Sequence, residues 1–242
     1  MRVQLCGPLV IERGEERLES RLPGRQGRLL FAYLTVNRHR LVSRHELGES
    51  LWPEPPAATD SALNALLSKL RRALGADAVD GRSSLRLLLG EAWIDIEAAP
   101  EAIHRAESAV ALADWTRAWG PSLVALFVAE REFLPGEDLA WIDDQRRRLA
   151  EIRLRALECY AVAGLGLGGT ELAAATRAAR ELVRLAPLRE SGYRHLMQAL
   201  AAQGNAAEAL RVYSVLCEAL RDELGVAPSA PTRAIYEQLV LA

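Results

Sequence analysis

The chain has 242 residues, half of them hydrophobic and 26% charged, which suits two well-cored globular domains and excludes an extended disordered protein. The formal charge is −2, but residues 1–92 carry 14 basic and 11 acidic side chains whereas residues 93–242 carry 16 and 21, a mildly basic front and an acidic rear. Cys6, Cys159 and Cys217 form no CxxC pair, the first segment turns polar after Ile11, and no apolar run spans a bilayer; a cytoplasmic protein with reduced thiols, no secretory signal and no membrane partner is expected.

In chain order, Val3–Leu5 and Leu9–Ile11, parted by Gly7-Pro8, read as short strands, with Arg17–Glu19 as a third. Strands this short must lean on the helices that follow. Leu29, Leu30, Ala32, Tyr33 and Leu34 give one apolar face from about Arg25 to Asn37, the first helix. Ser43 with Glu46 three residues on is a capping-box signal for a second helix, which ends at Leu51-Trp52 before Pro53. Trp52 is read as a core plug between the second and third helices, and Glu54-Pro55-Pro56-Ala57-Ala58 as a turn. The third helix runs from Thr59 or Asp60 to Leu74, with Gly75 as its stop. Ala78-Val79, Leu85–Leu89 and Trp93–Ile96 read as strands around turns at Asp80-Gly81 and Gly90-Glu91. Three short strands, three helices and a hairpin describe a winged helix-turn-helix whose hairpin is the wing.

From Pro100 onward the pattern is helical except for short turns such as Glu132–Asp138. Trp141–Tyr160 is a long amphipathic helix carrying Arg146-Arg147-Arg148, with Asp143-Asp144 beside them as surface ion-pair partners. Gly164–Gly169 is read as a flexible turn between helices; it lacks the Lys-Ser/Thr that a phosphate loop requires. Ala175 and Leu182 recur 34 residues later as Ala209 and Leu216, and Tyr193, Leu196, Gly204 and Tyr213 fall where tetratricopeptide repeats keep theirs. The fold class is therefore mainly α with a small β component. A winged helix-turn-helix DNA-binding domain over 1–96 precedes an all-α tetratricopeptide-like domain over 97–242.

At 100° per residue the third helix has two faces. Leu63, Leu66, Leu67, Leu70, Ala73 and Leu74 lie on one side, and Ser61, Asn64, Ala65, Ser68, Lys69, Arg71 and Arg72 on the other. Small polar groups and an amide followed by cations suit the major groove: the former approach base edges, Asn64 pairs with adenine, and the cations reach phosphates. The same cations also fit a solvated face that favours the helix C-terminus. The third-helix position and the hairpin favour the DNA reading. Further candidate backbone contacts are Arg25 and Arg28 on the first helix, Ser43 and Arg44 at the start of the second, and Arg82 and Arg86 in the wing.

Three stretches stand out in the front, Arg25–Leu30, Leu51-Trp52-Pro53, and Ala62-Leu63 through Gly75. In the rear they are Phe133–Asp138 with Trp141, Gln203–Leu210, and Leu216 through Ser229 leading to Tyr236. In these stretches the chain resembles the SARP family of bacterial transcriptional activators, which join an OmpR-like winged helix to a bacterial transcriptional activator domain. The resemblance implies sequence-specific binding of double-stranded DNA at promoter direct repeats, activation through RNA polymerase and homodimerisation on DNA. The wing departs from shorter members in lacking their Gly-Tyr turn. It is similar to that of larger multidomain regulators, and a piece of a longer protein fits the point at which the chain stops.

An enzyme is not expected. His39, His45, His104 and His195 show no metal spacing, no nucleophile motif is present, and no cofactor is implied. His39 and His45 are read as surface groups near phosphate. The alternative is an interaction module, in which the repeat domain binds a peptide, a second protomer or a small-molecule effector and the winged helix is a scaffold.

Overall fold

The computed structural model describes residues 1–54 and 56–241; Pro55, within the turn expected at 54–58, and Ala242 lie outside the described residues. The chain forms two compact units: Met1–Ala98 with Arg131–Arg148, and Ala99–Glu130 with Leu149–Ala242. Residues 131–148, which lie in the rear half of the sequence, group with the first unit.

In the first unit, β1 (Arg2–Gln4) pairs antiparallel with β2 (Val10–Arg13), which pairs with β3 (Glu16–Arg17). Three helices follow: α1 (Gly24–Val36), α2 (Arg44–Leu51) and α3 (Thr59–Leu74). Their apolar faces meet over Leu29, Leu30, Leu34, Leu47, Leu51, Leu63, Leu67 and Leu70, all buried. Gly48 permits the close approach of α3 to α2, since a Cβ there would meet Thr59 Cγ2 at 3.2 Å. Trp52 is half-buried at the end of α2 and is not the expected core plug. Another half-buried indole packs on a different side of the unit: Trp141 lies edge-on against Tyr33 and Phe133 and donates its N–H to the Ser50 carbonyl at 3.0 Å.

The strand pattern differs from the expectation in two ways. β5 (Val79–Asp80) and β6 (Ser84–Leu87) form the wing hairpin, joined by β4 (Val42–Ser43) on the far side of β6. Two residues are too few to show a period, so β4 leaves no trace in the sequence. The run expected as a strand over Trp93–Ile96 leaves the wing. Its first two residues, β7 (Trp93–Ile94), pair parallel with β1, and Asp95 already begins the helix α4 (Asp95–Ala111). The Asp95 carboxylate decides this. Wholly buried, it accepts the amides of Leu5, Cys6 and Ile96 at 2.8–3.0 Å. Burial pushes its carboxyl above the usual range, and these amides pull it part of the way back. The same burial pushes the neighbouring Cys6 thiol far up, leaving it inert.

The loop 132–138 closes the unit. Cys6 bridges to Phe133, and Arg146 gathers the carbonyls of Phe133, Leu134 and Glu137 and the carboxylates of Glu132 and Asp143. Arg147 pairs with Asp144 as the charge pattern implied.

The second unit contains α4 from residue 99, α5 (Trp115–Ala129), the rest of α6 (Ala140–Leu167), α7 (Leu172–Leu185), α8 (Glu190–Ala202), α9 (Ala206–Leu224) and α10 (Ala230–Leu241). The 34-residue repeat is visible in packing: Ala175, Leu182, Ala209 and Leu216 are each fully buried. The glycine run at 164–169 corrects the flexible-turn reading. Residues 164–167 are the last turn of α6, and only Gly168 and Gly169 turn the chain, with positive φ of 70° and 54°. A Cβ on Gly166 would strike the Trp115 ring at 2.4 Å, and one on Gly164 would meet Trp119 at 3.1 Å, so these glycines admit two indoles onto the helix. At the other end Glu190 accepts the Ser229 amide and hydroxyl and the Thr232 hydroxyl, tying α8 to the start of α10. Among the described residues no helix is long and apolar enough to cross a membrane.

Candidate nucleic-acid interface

α3 divides along its length as its period requires. Leu63, Leu67, Leu70, Ala73 and Leu74 are buried, while Ser61, Asn64, Ala65, Ser68, Lys69 and Arg72 are exposed. The helix is held at both ends. At its start Thr59 Oγ1 donates to the Pro56 carbonyl at 2.6 Å, while Ser43 caps the preceding helix α2, accepting the Glu46 amide at 3.1 Å. The Glu46 carboxylate is bound by Arg40 and by Tyr33 Oη, with the Ser43 amide a smaller contributor, and these bonds hold it below its usual pKa. The C-terminal carbonyl of Leu74 accepts Arg13 Nη2 at 2.7 Å.

Among the described residues Lys69, Arg72 and the wing-tip Arg82 form no ion pair. Lys69 and Arg72 converge with Arg21 on a recess of ≈ 340 Å³ beside Pro23. Arg21, half satisfied by Glu16, was not foreseen, because it lies in a turn before α1 and only the tertiary fold brings it to α3. Three cations on one recess at the edge of an exposed helix face make a site of positive potential suited to phosphate.

The structure gives other candidate contacts different work. Arg71 does not face outward: it is partly buried and donates to the carbonyls of Val79 and Gly81 at 3.2–3.3 Å, bracing the wing against α3. Its angular position lies at the border of the two faces, and the wing carbonyls decide the direction. Arg44 is a second brace. Its guanidinium meets Asp60 Oδ1 at 3.2 Å, Asn64 Oδ1 at 2.8 Å and the Arg82 carbonyl at 3.4 Å. Arg25 pairs with Glu137 at 2.6 Å, and Arg86 lies 3.7 Å from Asp80. Arg28 is exposed, has no partner among the described residues, and lines a cavity of ≈ 560 Å³ with Leu9, Leu29, Leu134 and Pro135. His39 and His45 lie against Glu97 and Glu49. Among the described residues no group of three His, Cys, Asp or Glu side chains is placed to hold a metal.

Both parts of the chain have relatives among known proteins. Residues 19–85 match the family "transcriptional regulatory protein, C terminal", and residues 94–240 match the bacterial transcriptional activator domain. The chain is 32% identical over 246 residues to the regulatory protein AfsR of Streptomyces griseus, covering all of this chain and 24% of that protein. It is 30% identical over 230 residues to the transcriptional regulator RedD of Streptomyces coelicolor, covering 88% and 63%. The transcriptional regulatory protein MoaR1 of Mycobacterium tuberculosis is 27% identical over 259 residues, covering 98% and 78%. The chain thus spans about a quarter of the AfsR length, 24%. The structure of Mycobacterium tuberculosis EmbR in complex with a low affinity phosphopeptide superposes with a TM-score of 0.83 at 22% identity, covering 99% of this chain and 65% of that one, a likeness of fold. With both segments present in this order, the chain belongs to the SARP family of transcriptional regulators, in which an OmpR-like winged helix precedes a bacterial transcriptional activator domain.

Proposed function

We propose that the chain binds double-stranded DNA sequence-specifically, with α3 in the major groove and the β5–β6 wing along the flanking backbone, and so regulates transcription in the cytoplasm. The observation that carries this reading is the open outer face of α3, where Ser61, Asn64 and Ser68 precede the unpaired Lys69 and Arg72. Small polar groups reach base edges and specify, whereas cations reach phosphates and position. As the family likeness implies, the regulator binds promoter repeats as a homodimer and activates through RNA polymerase, with the helical unit presenting the contact surface.

The test is DNA binding as a function of salt. Each phosphate neutralised contributes about 0.9 to the slope of log K against log salt. Replacing Lys69 and Arg72 together by Ala removes two cations and lowers that slope by about 1.8. Absence of binding by the unaltered chain at low salt, on any fragment of its source genome, returns the assignment to the scaffold reading.

That second reading has one favourable observation. In the helical unit Leu126, Leu157, Tyr160, Arg177 and Glu181 line a recess of ≈ 280 Å³, sized for one side chain of a peptide or a small effector.

A further inference from the structure

Resting on the DNA-binding reading, we propose that Arg44 determines which base Asn64 selects: by engaging the amide oxygen it turns Asn64 into a hydrogen-bond donor and directs it to guanine. The argument is one of donors and acceptors. A guanidinium has five N–H donors and no acceptor. The Asn64 amide atom 2.8 Å from Arg44 Nη2 must therefore be Oδ1, which leaves the NH2 group of this exposed residue without a partner among the described residues. A free asparagine reads adenine by giving a hydrogen to N7 and taking one from N6, which requires both ends of the amide. Guanine offers two acceptors, O6 and N7, at the same edge. With one of the two lone pairs of Oδ1 taken by a cation and the NH2 group left without a partner among the described residues, Asn64 meets the second pattern through free donors, whereas the first draws on the one lone pair that remains.

Arg44 is itself held in place for this task. Its side chain is only 24% exposed. Nε donates to Asp60 Oδ1 at 3.2 Å, Nη2 to the Asp60 carbonyl at 3.4 Å, and Nη1 to the Arg82 carbonyl at 3.4 Å. The start of α2, the first turn of α3 and the wing turn thus fix one guanidinium, and that guanidinium fixes one amide. Flipping the amide would place NH2 against a cation. Arg44 is in this sense a positioning residue, and the base contact belongs to Asn64.

The experiment is selection of bound duplexes from a randomised pool, run with the unaltered chain and with Asn64→Ala, Arg44→Met and Arg44→Lys. Asn64→Ala identifies the base pair that Asn64 reads, as the one position whose preference flattens. The unaltered chain is expected to prefer guanine over adenine there by roughly tenfold. Arg44→Met, which keeps the packing and frees the oxygen, is expected to move that single position toward adenine. Arg44→Lys restores one donor and with it the guanine preference, a rescue that a merely structural role for Arg44 would not show. Adenine at that position in the unaltered chain overturns the inference while leaving DNA binding intact. So does an Arg44→Met variant weakened uniformly at all positions, or an Asn64→Ala variant that flattens none. A pool from which the unaltered chain selects no motif overturns the DNA-binding reading and this inference with it.

Discussion

The two units are built from similar Leu- and Ala-rich helices and nearly the same cation, arginine, yet several of these arginines do different work in each. In the helical unit Arg153, Arg155, Arg180 and Arg189 reach across to Glu181, Glu107, Glu208 and Glu158 at 2.5–2.9 Å. These pairs join segments of the stack, while Arg105, Arg177 and Arg211 of the same unit are exposed and form no ion pair among the described residues. On α3 and the wing, Lys69, Arg72 and Arg82 are left without carboxylates and open to solvent, while Arg44 and Arg71 of the same surface are spent on holding the wing. The difference teaches that convergence of cations on one recess marks an anion-binding face, and that neither a count of basic residues nor the lack of a partner does. A net charge of +3 over residues 1–92 is unremarkable; three cations around one recess are not.

The units also hang on different carboxylates, and the sharpest way to separate them is to remove one. Asp95→Ala strips the acceptor from three amides in the first unit and is expected to cost about 3–5 kcal/mol there, because buried N–H groups are left unpaired. Two melting transitions, with only one displaced, would be the signature; unchanged melting would mean that the carboxylate is not the anchor.

Next in size is the contrast between open and spent cations. Lys69→Ala with Arg72→Ala should weaken DNA binding by about 2–3 kcal/mol without changing the melting temperature, whereas Arg71→Ala should loosen the wing and lower stability by about 1–2 kcal/mol. Equal effects of the two variants on binding and melting would erase the distinction drawn between outward and bracing residues.

Glu190 gives a smaller, pH-dependent effect in the helical unit. Burial raises its pKa, but the hydrogen bonds from Thr232 and Ser229 outweigh burial and hold it below the ordinary 4.5. A lowered folded value means that the stabilisation is complete above 4.5 and is lost as the pH falls through the folded value. Glu190→Gln is therefore expected to destabilise by about 1–2 kcal/mol at pH 7, with the gap to the unaltered chain closing on acidification. A gap that stays constant down to pH 3 in urea unfolding would exclude an ionised Glu190 as the tie.

Smallest of all is Arg180→Ala. Its pair with Glu208 is half exposed on both sides, and loss of a solvent-screened pair is expected to cost below about 1 kcal/mol and to leave DNA binding alone. A measurable loss of DNA affinity here would show that the helical unit, too, meets nucleic acid.

Much of the interface was readable from residue types and spacing, and the rest was not, for identifiable reasons. The period of α3 located Ser61, Asn64, Ser68, Lys69 and Arg72 on the open side because burial of the opposite leucines leaves no other choice. Ser43 was legible as a cap because capping is a contact within three residues. Arg71 was misplaced because a border residue answers to whatever packs beside it, here the wing carbonyls. The bracing role of Arg44 and the convergence of Arg21 with Lys69 and Arg72 carried no local signal, since the groups they meet lie 16 residues or more away.

The sequence alone determined the helices, their buried faces, the 34-residue repeat and the winged order, all of which rest on periodicity and on caps acting over a few residues. Tertiary structure decided the rest. It returned 131–148 to the front unit, paired Trp93-Ile94 with the first strand and made Gly164–Leu167 helical under two indoles. It also chose which arginines face the solvent. Those outcomes depend on groups that meet across tens of residues, where hydrogen-bond satisfaction and side-chain volume rule and local propensity has no vote.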